Sequence, residues 1–587
     1  MYSLSILLVI IVIFCTFAIT RSSTFSTEGE LDWWQTAVIY QIYPRSFKDS
    51  NSNGIGDLKG IEEKAEYLKD LGIDAIWISP IFKSPMADMG YDVSDFKAID
   101  PLFGTMTDFE SLRDKLHSLG IKLTLDFVPN HSSDEHEWFI KSVQRIDPYT
   151  DYYVWQDPKA WINETTPVPP NNWIGPFEQS MWTYHSTRKQ FYLHQFAEKQ
   201  PDLNYRSKEL VEEMINVIRF WLDKGVDGFR MDAIIHLVED DRFLDEPVIS
   251  NQTINGKPAY KAFDHIYTQC LPETYEMFRR FREVADSYKQ KDGQTRLVML
   301  EIGTMPTIEN TMKFYGNKSH PIAHIPFNFY PLDDLRDTSS AQDFQTSINK
   351  WMDNMPQGQW PNWVLGNHDN FRIASRFDPS SVDMMNMFLL LLPGTPIAYN
   401  GEEIGMEDAK IRWDQTTDVY ALGVGPLWYE TFSRDPERTP FQWNASHHAG
   451  FSSIDGKTWL PVNPNYYRIN VQAQKYNLRS HYNIYKNLIK LRSREAFRRG
   501  DFKMYTISDR IFAFKRNLSN EIYAIIMNLN NEEESVDIKN TIANETNGNF
   551  EIILVSENSE YEVGDKLNTS SEVFRMRPKS AIVLQSI

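Results

Sequence analysis

The sequence predicts an α/β protein: a (β/α)8 TIM barrel with a lobe inserted after strand 3 and a C-terminal antiparallel β-sandwich domain. Three observations point to this fold class. An amphipathic helix, a glycine and an apolar strand recur in that order three times in the first half of the chain. A polar, aromatic-rich stretch then interrupts this rhythm. Near the C-terminus, helical patterns give way to alternating strands separated by Asn/Glu-rich turns.

Each repeated unit is identified by the sequence pattern of its helix. The first helix, over residues 61–71, has apolar groups spaced three and four apart and ends at Gly72. The second begins with a capping-box pattern at Thr107 and Glu110, and the third spans residues 208–224. The strands that follow are nearly continuous apolar runs, which are typical of a parallel sheet covered on both faces.

About eight such strands are predicted, the number that closes a β/α barrel. An open doubly wound sheet is the competing fold for the same pattern. The strand segments are AVIYQIY, DAIWISP, KLTLDFV, DGFRMDA, RLVMLEI, AHIPFNF, NWVLGNHD and TPIAYNG. The predicted boundaries are a signal peptide at 1–20, barrel at 32–131, inserted lobe at 132–204, barrel again at 205–500 and β-sandwich at 501–587.

Composition limits the kinds of molecule that this protein is expected to bind. Acidic residues outnumber basic ones by 20 among 587 residues, without a long basic run, which argues against nucleic acid or an anionic membrane. Cys15 lies in the N-terminal apolar stretch, so the mature chain is expected to hold one thiol, Cys270, and no internal disulfide. No obligate protein partner is predicted.

The N-terminus predicts export. An apolar run from Leu4 to Ile19 precedes Arg21, as in a signal peptide, and the mature protein is expected to be secreted. An uncleaved membrane anchor is the alternative, because no Lys or Arg precedes the apolar run. Seven sequons are candidates for glycosylation: Asn163, Asn251, Asn317, Asn444, Asn517, Asn544 and Asn568. Asn130, also in a sequon, is expected to be buried and unglycosylated.

Four acidic residues end predicted barrel strands: Asp126, Asp232, Glu301 and Asp369. Active sites of β/α barrels lie at the C-terminal ends of the strands. A carboxylate over an apolar floor is costly unless it is paired or used. Any one of the four fits a helix cap or turn, but together they predict a catalytic site.

These acids lie within recognisable motifs. The segments DFVPNH, GFRMD, RLVMLE and GNHD resemble, in order and spacing, the four sequence blocks of the α-amylase superfamily, glycoside hydrolase family 13. QPDLN resembles a further block that marks the oligo-1,6-glucosidase and maltase branch, which includes insect maltases. The resemblance extends from about Trp33 to the C-terminus.

The resemblance implies roles for the acids. Asp232 would be the nucleophile, Glu301 the general acid and base, and Asp369 a transition-state binder of sugar hydroxyls. Arg230 would hold Asp232 ionised, and the shared site should raise the pKa of the acid relative to that of the nucleophile.

Other implied contacts surround the terminal sugar. Asp126, His131 and His368 would bind hydroxyls, and a zinc site is the alternative for this His/Asp set. Tyr91 would stack on the sugar and Asp88 would read its outer hydroxyl. Arg438 would pair with Asp88 and close the pocket, with a surface ion pair as the alternative.

A loop after the first strand predicts structural Ca²⁺. Oxygen-bearing residues alternate around a glycine turn, as hard cations require, and the family often binds calcium there. The predicted ligands are Asp49, Asn51, Asn53, Ile55 and Asp57. An Asx-rich turn is the alternative.

The function implied is a retaining, exo-acting α-glucosidase that takes maltose, sucrose and maltooligosaccharides. Two rivals are a catalytically inactive ectodomain that serves as a transporter heavy chain or receptor, and an endo-acting α-amylase. Ala233 and Ile235 depart from the usual residues after the nucleophile, so linkage preference is left open.

Overall fold

The structure is a computed structural model that describes residues 30–303, 307–539, 541–546, 548–569 and 573–587. The predicted signal peptide and Cys15 lie outside the described residues. Within these ranges, no helix combines the length and apolar character needed to cross a bilayer. Cys270 is a partly buried cysteine with a reduced thiol.

Eight parallel strands form the central sheet, and all eight predicted segments contribute one. Their hydrogen-bonded order is β6-β5-β4-β3-β2-β1-β8-β7. The strands are β1 Ile39–Ile42, β2 Ala75–Ile78, β3 Lys122–Phe127, β4 Gly228–Met231, β5 Leu297–Leu300, β6 Ile325–Pro326, β7 Asn362–Val364 and β8 Thr395–Tyr399.

The remaining gap, between β6 and β7, is spanned by a side chain. Asn362 donates from Nδ2 to the carbonyl of Pro326 at 2.7 Å and accepts the amide of Asn328 on Oδ1 at 2.9 Å. These bonds replace ladder contacts in the short β6 strand and bring the sheet close to a closed barrel. The predicted barrel is therefore confirmed over the open sheet.

A helix follows each strand and covers the outside of the barrel. The principal helices are α1 Ala65–Leu71, α2 Met106–Ser118, α3 Lys208–Asp223, α4 Pro272–Asp292, α5 Ile308–Lys313, α6 Ala341–Met352, α7 Val382–Leu391 and α8 His481–Arg492. The predicted capping box at Thr107 and Glu110 is wrong by two residues. Helix α2 is instead capped by Thr105 and Asp108, whose side chains exchange hydrogen bonds with each other's amides, because Thr107 already lies inside the helix.

Strand alternation sorts side chains between two environments. On β4, Phe229 and Met231 face the helices and belong to the main apolar core. On β3, Leu125 and Phe127 do the same. Asp126 and Arg230 occupy the alternate positions, so they point into the barrel near its C-terminal mouth. A separate apolar cluster, which includes Trp77 and Met299, fills the barrel beneath them.

The lobe after β3 has a small core of its own. Three antiparallel strands, Trp155–Gln156, Gln190–Leu193 and Trp182–His185, pack around Trp173 and Met181. An isolated bridge between His131 and Asp202 joins the beginning and end of the lobe, so both ends return to the mouth of the barrel.

The C-terminal region is a six-stranded antiparallel sheet accompanied by a two-stranded ribbon. Alternation again divides the side chains: Phe512 and Phe514 join the barrel core, whereas Ile511 and Ala513 join a cluster shared with the ribbon. The large sheet is Asp501–Thr506, Ile511–Leu518, Glu521–Asn528, Ala581–Ser586, Asn549–Val555 and Lys566–Asn568, and the ribbon is Glu534–Val536 with Phe574–Met576.

Candidate active site

A single buried guanidinium organises the carboxylates at the mouth of the barrel. Register pairs Arg230 on β4 with Asp126 on β3. Arg230 Nη1 donates to both oxygens of Asp126 at 2.8 and 2.9 Å and to Asp232 Oδ1 at 2.7 Å. Its Nη2 lies 2.8 Å from Glu301 Oε1. Three of the four predicted acids therefore meet at one cation.

This group is buried and carries more acid than one guanidinium neutralises, and the pKa values of Asp126 and Asp232 are raised. Burial raises the pKa of Asp126 to about 6, although Arg230 opposes the rise. Burial also raises the pKa of Asp232 well above its usual range, with Glu301 adding to the increase and Arg230 opposing it. Asp232 and Glu301 lie on the same guanidinium, so the raised pKa of Asp232 reflects a neighbouring acid as well as burial. The order of the two pKa values within the pair stays a prediction.

The residue after Asp232 is held in an unusual backbone conformation. Ala233 has φ +50°, in the left-handed region, where a non-glycine residue is strained by about 1–3 kcal/mol. In this conformation its amide donates to Glu301 Oε2 at 3.2 Å. The Glu301 amide in turn donates to the carbonyl of Met231 at 3.0 Å. The backbone around one acid therefore orients the other.

The fourth acid, Asp369, sits among cations. Arg438 Nη2 lies 2.6 Å and Arg434 Nη1 3.3 Å from Asp369 Oδ1. Burial would raise the pKa of Asp369, but His368, Arg438 and Arg434 outweigh it and hold that pKa below its usual range. Asp369 is consequently an ionised acceptor with its side chain 27% exposed.

His368 and Tyr91 connect the two groups of acids. Gln41 Nε2 donates to His368 Nδ1 at 2.8 Å, and His368 Nε2 lies 2.5 Å from the Tyr91 hydroxyl. Tyr91 donates to Asp126 Oδ2 at 3.3 Å and stacks on the imidazole at 5.4 Å between centroids. Burial lowers the pKa of His368 well below its usual range, and the ring links Gln41 to Tyr91.

The predicted partner of Asp88 is wrong. Asp88 Oδ1 is 2.8 Å from Arg434 Nη2, whereas Arg438 contacts Asp369 and donates from Nε to the carbonyl of His368 at 2.6 Å. The same Arg434 Nη2 is 2.6 Å from Asp418 Oδ1, which orients the guanidinium toward Asp88. Arg434 and Asp418 were missed because they lie outside every motif used above. The one signal was a second arginine four residues before Arg438.

The QPDLN segment completes this end of the site. Gln200 Nε2 donates to Asp88 Oδ2 at 3.2 Å and to His131 Nε2 at 3.1 Å. Burial lowers the pKa of His131 to about 3, so it is neutral. Asn130 is 1% exposed and donates to Asp202 at 3.2 Å, which confirms its predicted burial. In the described ranges, no cluster of His, Cys, Asp or Glu has the arrangement of a metal site, so nothing supports zinc.

These groups line a cavity of about 750 Å³. Asp88, Tyr91, His131, Asp232, Glu301, Asp369 and Arg434 are among its lining residues. Four aromatic side chains also contribute: Phe177 and Phe196 from the inserted lobe, and Tyr420 and Phe432 from the segment after β8. Phe177 stacks on Tyr420 at 4.9 Å, so lobe and barrel meet across the cavity wall.

The predicted calcium loop lies away from this cavity. Asp49 Oδ1 accepts the amides of Asn51 and Ser52 at 3.0 and 2.8 Å, and its Oδ2 accepts that of Gly54 at 2.8 Å. Asp57 accepts the amide of Gly60 at 2.7 Å. The side chains of Asn51 and Asn53 accept the amides of Asn53 and Ile55 at 3.1 and 2.8 Å. The bonds from Asp49, Asn51 and Asn53 to the amides two residues on are Asx turns, and the bond to Asp57 is a helix N-cap. Cation binding stays a prediction.

The predicted glycosylation sites differ in exposure. Asn163, Asn251, Asn317, Asn544 and Asn568 are exposed, whereas Asn444 and Asn517 are partly buried. Glycan attachment stays a prediction at all seven.

Comparison with known proteins gives a consistent set of relatives. The alpha amylase catalytic domain model matches residues 41–500. Maltase A1 of Drosophila melanogaster is 45% identical over 553 residues, which cover 93% of this chain and 95% of that protein. The salivary alpha-glucosidase of Anopheles gambiae is 44% identical, covering 95% and 94%.

One relative bears on the non-enzymatic alternative. An amino acid transporter heavy chain of Rattus norvegicus is 40% identical over 518 residues, covering 87% of this chain and 73% of that protein. Among solved structures, the alpha-glucosyl transfer enzyme XgtA superposes with a TM-score of 0.82 at 33% identity, covering 95% of this chain and 100% of that one. The family model, these identities and the barrel geometry agree: the chain belongs to the α-amylase family of catalytic domains.

Proposed function

We propose that this protein is a retaining, exo-acting α-glucosidase that releases terminal non-reducing α-glucose from maltose, sucrose and maltooligosaccharides. One observation carries the proposal. Asp232 and Glu301 are held side by side by Arg230, in a cavity whose far end is closed by the ion pair of Asp88 and Arg434.

The spacing of the acids supports retention of anomeric configuration. A retaining glycosidase places its two carboxyl groups about 5–5.5 Å apart, whereas an inverting one leaves room for a water between them. Two carboxylates that contact one guanidinium fit the shorter arrangement. Asp232 would attack the anomeric carbon while Glu301 protonates the leaving oxygen. Glu301 would then deprotonate the water that releases glucose.

The far end of the cavity supports action at chain ends. The Asp88 side chain is 6% exposed and that of Arg434 14%. A further sugar would have to separate this pair, and each buried polar group left without a partner costs about 1–3 kcal/mol. The terminal hydroxyl of a free chain end can instead bond to the pair.

The relatives support the same substrates and an exported protein. Those 42–45% identical carry the names maltase and alpha-glucosidase, two of them salivary. Together with the predicted signal peptide, this supports secretion. The transporter heavy chain is a more distant relative, at 40% identity. The assembled site, with both acids in contact with Arg230, favours catalysis over that alternative.

The test is hydrolysis of maltose, sucrose, isomaltose, trehalose and starch by the purified protein, with the anomer of fresh glucose followed by NMR. The proposal expects α-glucose to appear first from disaccharides, and starch to lose viscosity slowly. Rapid viscosity loss with mixed oligosaccharides would assign an endo-acting α-amylase. Absence of turnover on every substrate would assign an inactive ectodomain.

A further inference from the structure

One side of the cavity is built by the long connection between β4 and α4. Tyr260, Lys261, His265 and Gln269 from this connection line the same cavity as the catalytic acids. The opposite end is closed by the ion pair described above, and the volume exceeds what one pyranose ring needs. This side is therefore the one available to the leaving part of the substrate, and we call residues 260–269 the aglycone wall.

A buried hydrogen-bonded pair joins His265 of the aglycone wall to Glu246. Glu246 Oε2 is 2.7 Å from His265 Nδ1, and their side chains are 0% and 9% exposed. Thr268 Oγ1 donates to the other oxygen, Glu246 Oε1, at 2.7 Å. His265 Nε2 lies 3.0 Å from the carbonyl oxygen of Tyr260. Glu246 and the Tyr260 carbonyl therefore hold the His265 ring at both of its nitrogens.

The His265 ring determines where Tyr260 lies. The two rings stack face to face at 3.9 Å between centroids and 19° between planes. Gln269 donates from Nε2 to the Tyr260 hydroxyl. Loss of the bond from Glu246 would loosen the His265 ring, and with it both the stack and the bond from His265 to the wall's own backbone.

The inserted lobe anchors the same assembly. Asn172 accepts the amide of Glu246 on Oδ1 at 2.7 Å and donates from Nδ2 to its carbonyl at 3.0 Å. Glu178, also in the lobe, accepts the amide of Tyr260 at 2.7 Å. The lobe thus holds Tyr260 of the wall directly, through Glu178, and it also holds Glu246, through Asn172. The Glu246–His265 contact connects the second anchor to the wall.

We propose that Glu246 and His265 are positioning residues that hold Tyr260 and Gln269 against the second sugar ring, so that the enzyme prefers disaccharides and oligosaccharides to glucosides with a small aglycone. The inference rests on the proposed function and deepens it. Neither residue needs to touch the reacting atoms.

The test compares maltose with methyl α-glucoside in the parent, Glu246→Gln and His265→Phe. A displaced wall should lower kcat/KM for maltose by about tenfold or more, mainly through KM, because small misplacements of binding groups are costly. Methyl α-glucoside has no second ring, so its kcat/KM should change less than about twofold by the same argument. Asp383→Asn is the matched control, since Asp383 pairs with His481 at 2.8 Å away from the cavity.

Other outcomes would overturn the inference. Equal losses of kcat/KM on both substrates would mean a general structural defect. An unchanged ratio of kcat/KM for maltose to that for methyl α-glucoside would mean that the wall does not contact the second ring. If Glu246→Gln fails to fold, Thr268→Val removes only one bond to Glu246 and should shift the ratio in the same direction. Titration calorimetry gives the same comparison without turnover. It measures the affinity of the Glu301→Gln protein and of the Glu301→Gln, Glu246→Gln double variant for maltose and for methyl α-glucoside. An inactive parent would therefore contradict the proposed function, while the calorimetry still decides the role of the wall.

Discussion

Arg434 offers a sharp test of how the closed end of the site is held. Its guanidinium lies 2.8 Å from Asp88, 2.6 Å from Asp418 and 3.3 Å from Asp369. Arg434→Met keeps most of the side-chain volume but removes the charge. Because Arg438 still contacts Asp369, the substitution isolates the loss at Asp88 and Asp418.

The expected magnitudes follow from burial. The side chain of Asp418 is 0% exposed and that of Asp88 6%, so both would be left as buried, unpaired carboxylates. Breaking such a pair costs about 3–5 kcal/mol of stability. A lost hydrogen bond to a charged group is worth about 1.5–3 kcal/mol. If Asp88 binds the terminal sugar, kcat/KM for maltose should fall roughly tenfold to a little over a hundredfold.

The stability defect should depend on pH. Burial would raise the pKa of Asp418, but Arg434 outweighs it and lowers that pKa below its ordinary value. A depressed pKa contributes stability above the unfolded value and loses it as the pH falls through the folded value. The difference between the parent and Arg434→Met should therefore be largest near neutral pH and smaller in acid.

Urea unfolding and glucose release from maltose measure the two effects. Arg412→Met is the matched control, because Arg412 pairs with Asp414 at 2.7 Å on the surface, with both side chains about two-thirds exposed at 66% and 67%. This control should unfold at the parental midpoint with parental activity. An Arg434→Met protein with parental stability and kcat/KM within threefold of the parent would refute the reasoning.

Three further predictions concern other parts of the molecule. Asp232→Asn and Glu301→Gln should each lower maltose turnover more than about a hundredfold with unchanged circular dichroism, and near-parental rates would remove their assignment. If the Asp49–Asp57 loop binds Ca²⁺, chelation should lower the melting temperature with little effect on rate in the cold, whereas an unchanged melting temperature leaves only a turn. Burial lowers the pKa of His481, but Asp383 and a second carboxylate outweigh it and raise it to about 9. The stabilisation by protonated His481 should be complete below its unfolded pKa of about 6.5 and lost as the pH rises through about 9. The free energy of unfolding should therefore fall with pH in this range for the parent, and less steeply for His481→Gln.

Local patterns were enough to predict the barrel. Each strand is a short apolar run whose faces are both buried, and each of the first three helices ends near a glycine, so no distant contact was needed to place them. Gly72 shows the local cause, because it ends α1 at φ +96°, where other residues are strained. Thr105 shows the limit: Thr105 and Thr107 lie two residues apart, each with an acidic residue three positions on, and only the start of the helix decides which one caps it.

The site was predictable where its residues sit on strands. The strand ends of Asp126, Asp232 and Glu301 converge because the parallel strands are neighbours. Arg434 approaches Asp88 across 346 residues, from one connecting segment to another, and sequence spacing carries no information about such a contact. The pairing assigned to Arg438 failed for this reason. The same limit applies to Glu246 and His265, which no motif contained.

The two groups of charges at the site show why similar residues behave in opposite ways. Around Arg230, burial raises the pKa of Asp232, and the neighbouring carboxylates Glu301 and Asp126 add to the rise that this single cation opposes. Around Asp369, Arg434 and Arg438 both approach one carboxylate and its pKa falls. Binding of sugar hydroxyls requires an acceptor that stays ionised, and Asp369 meets this condition. The number of cations beside each acid, together with burial, therefore decides which carboxyl pKa rises and which falls.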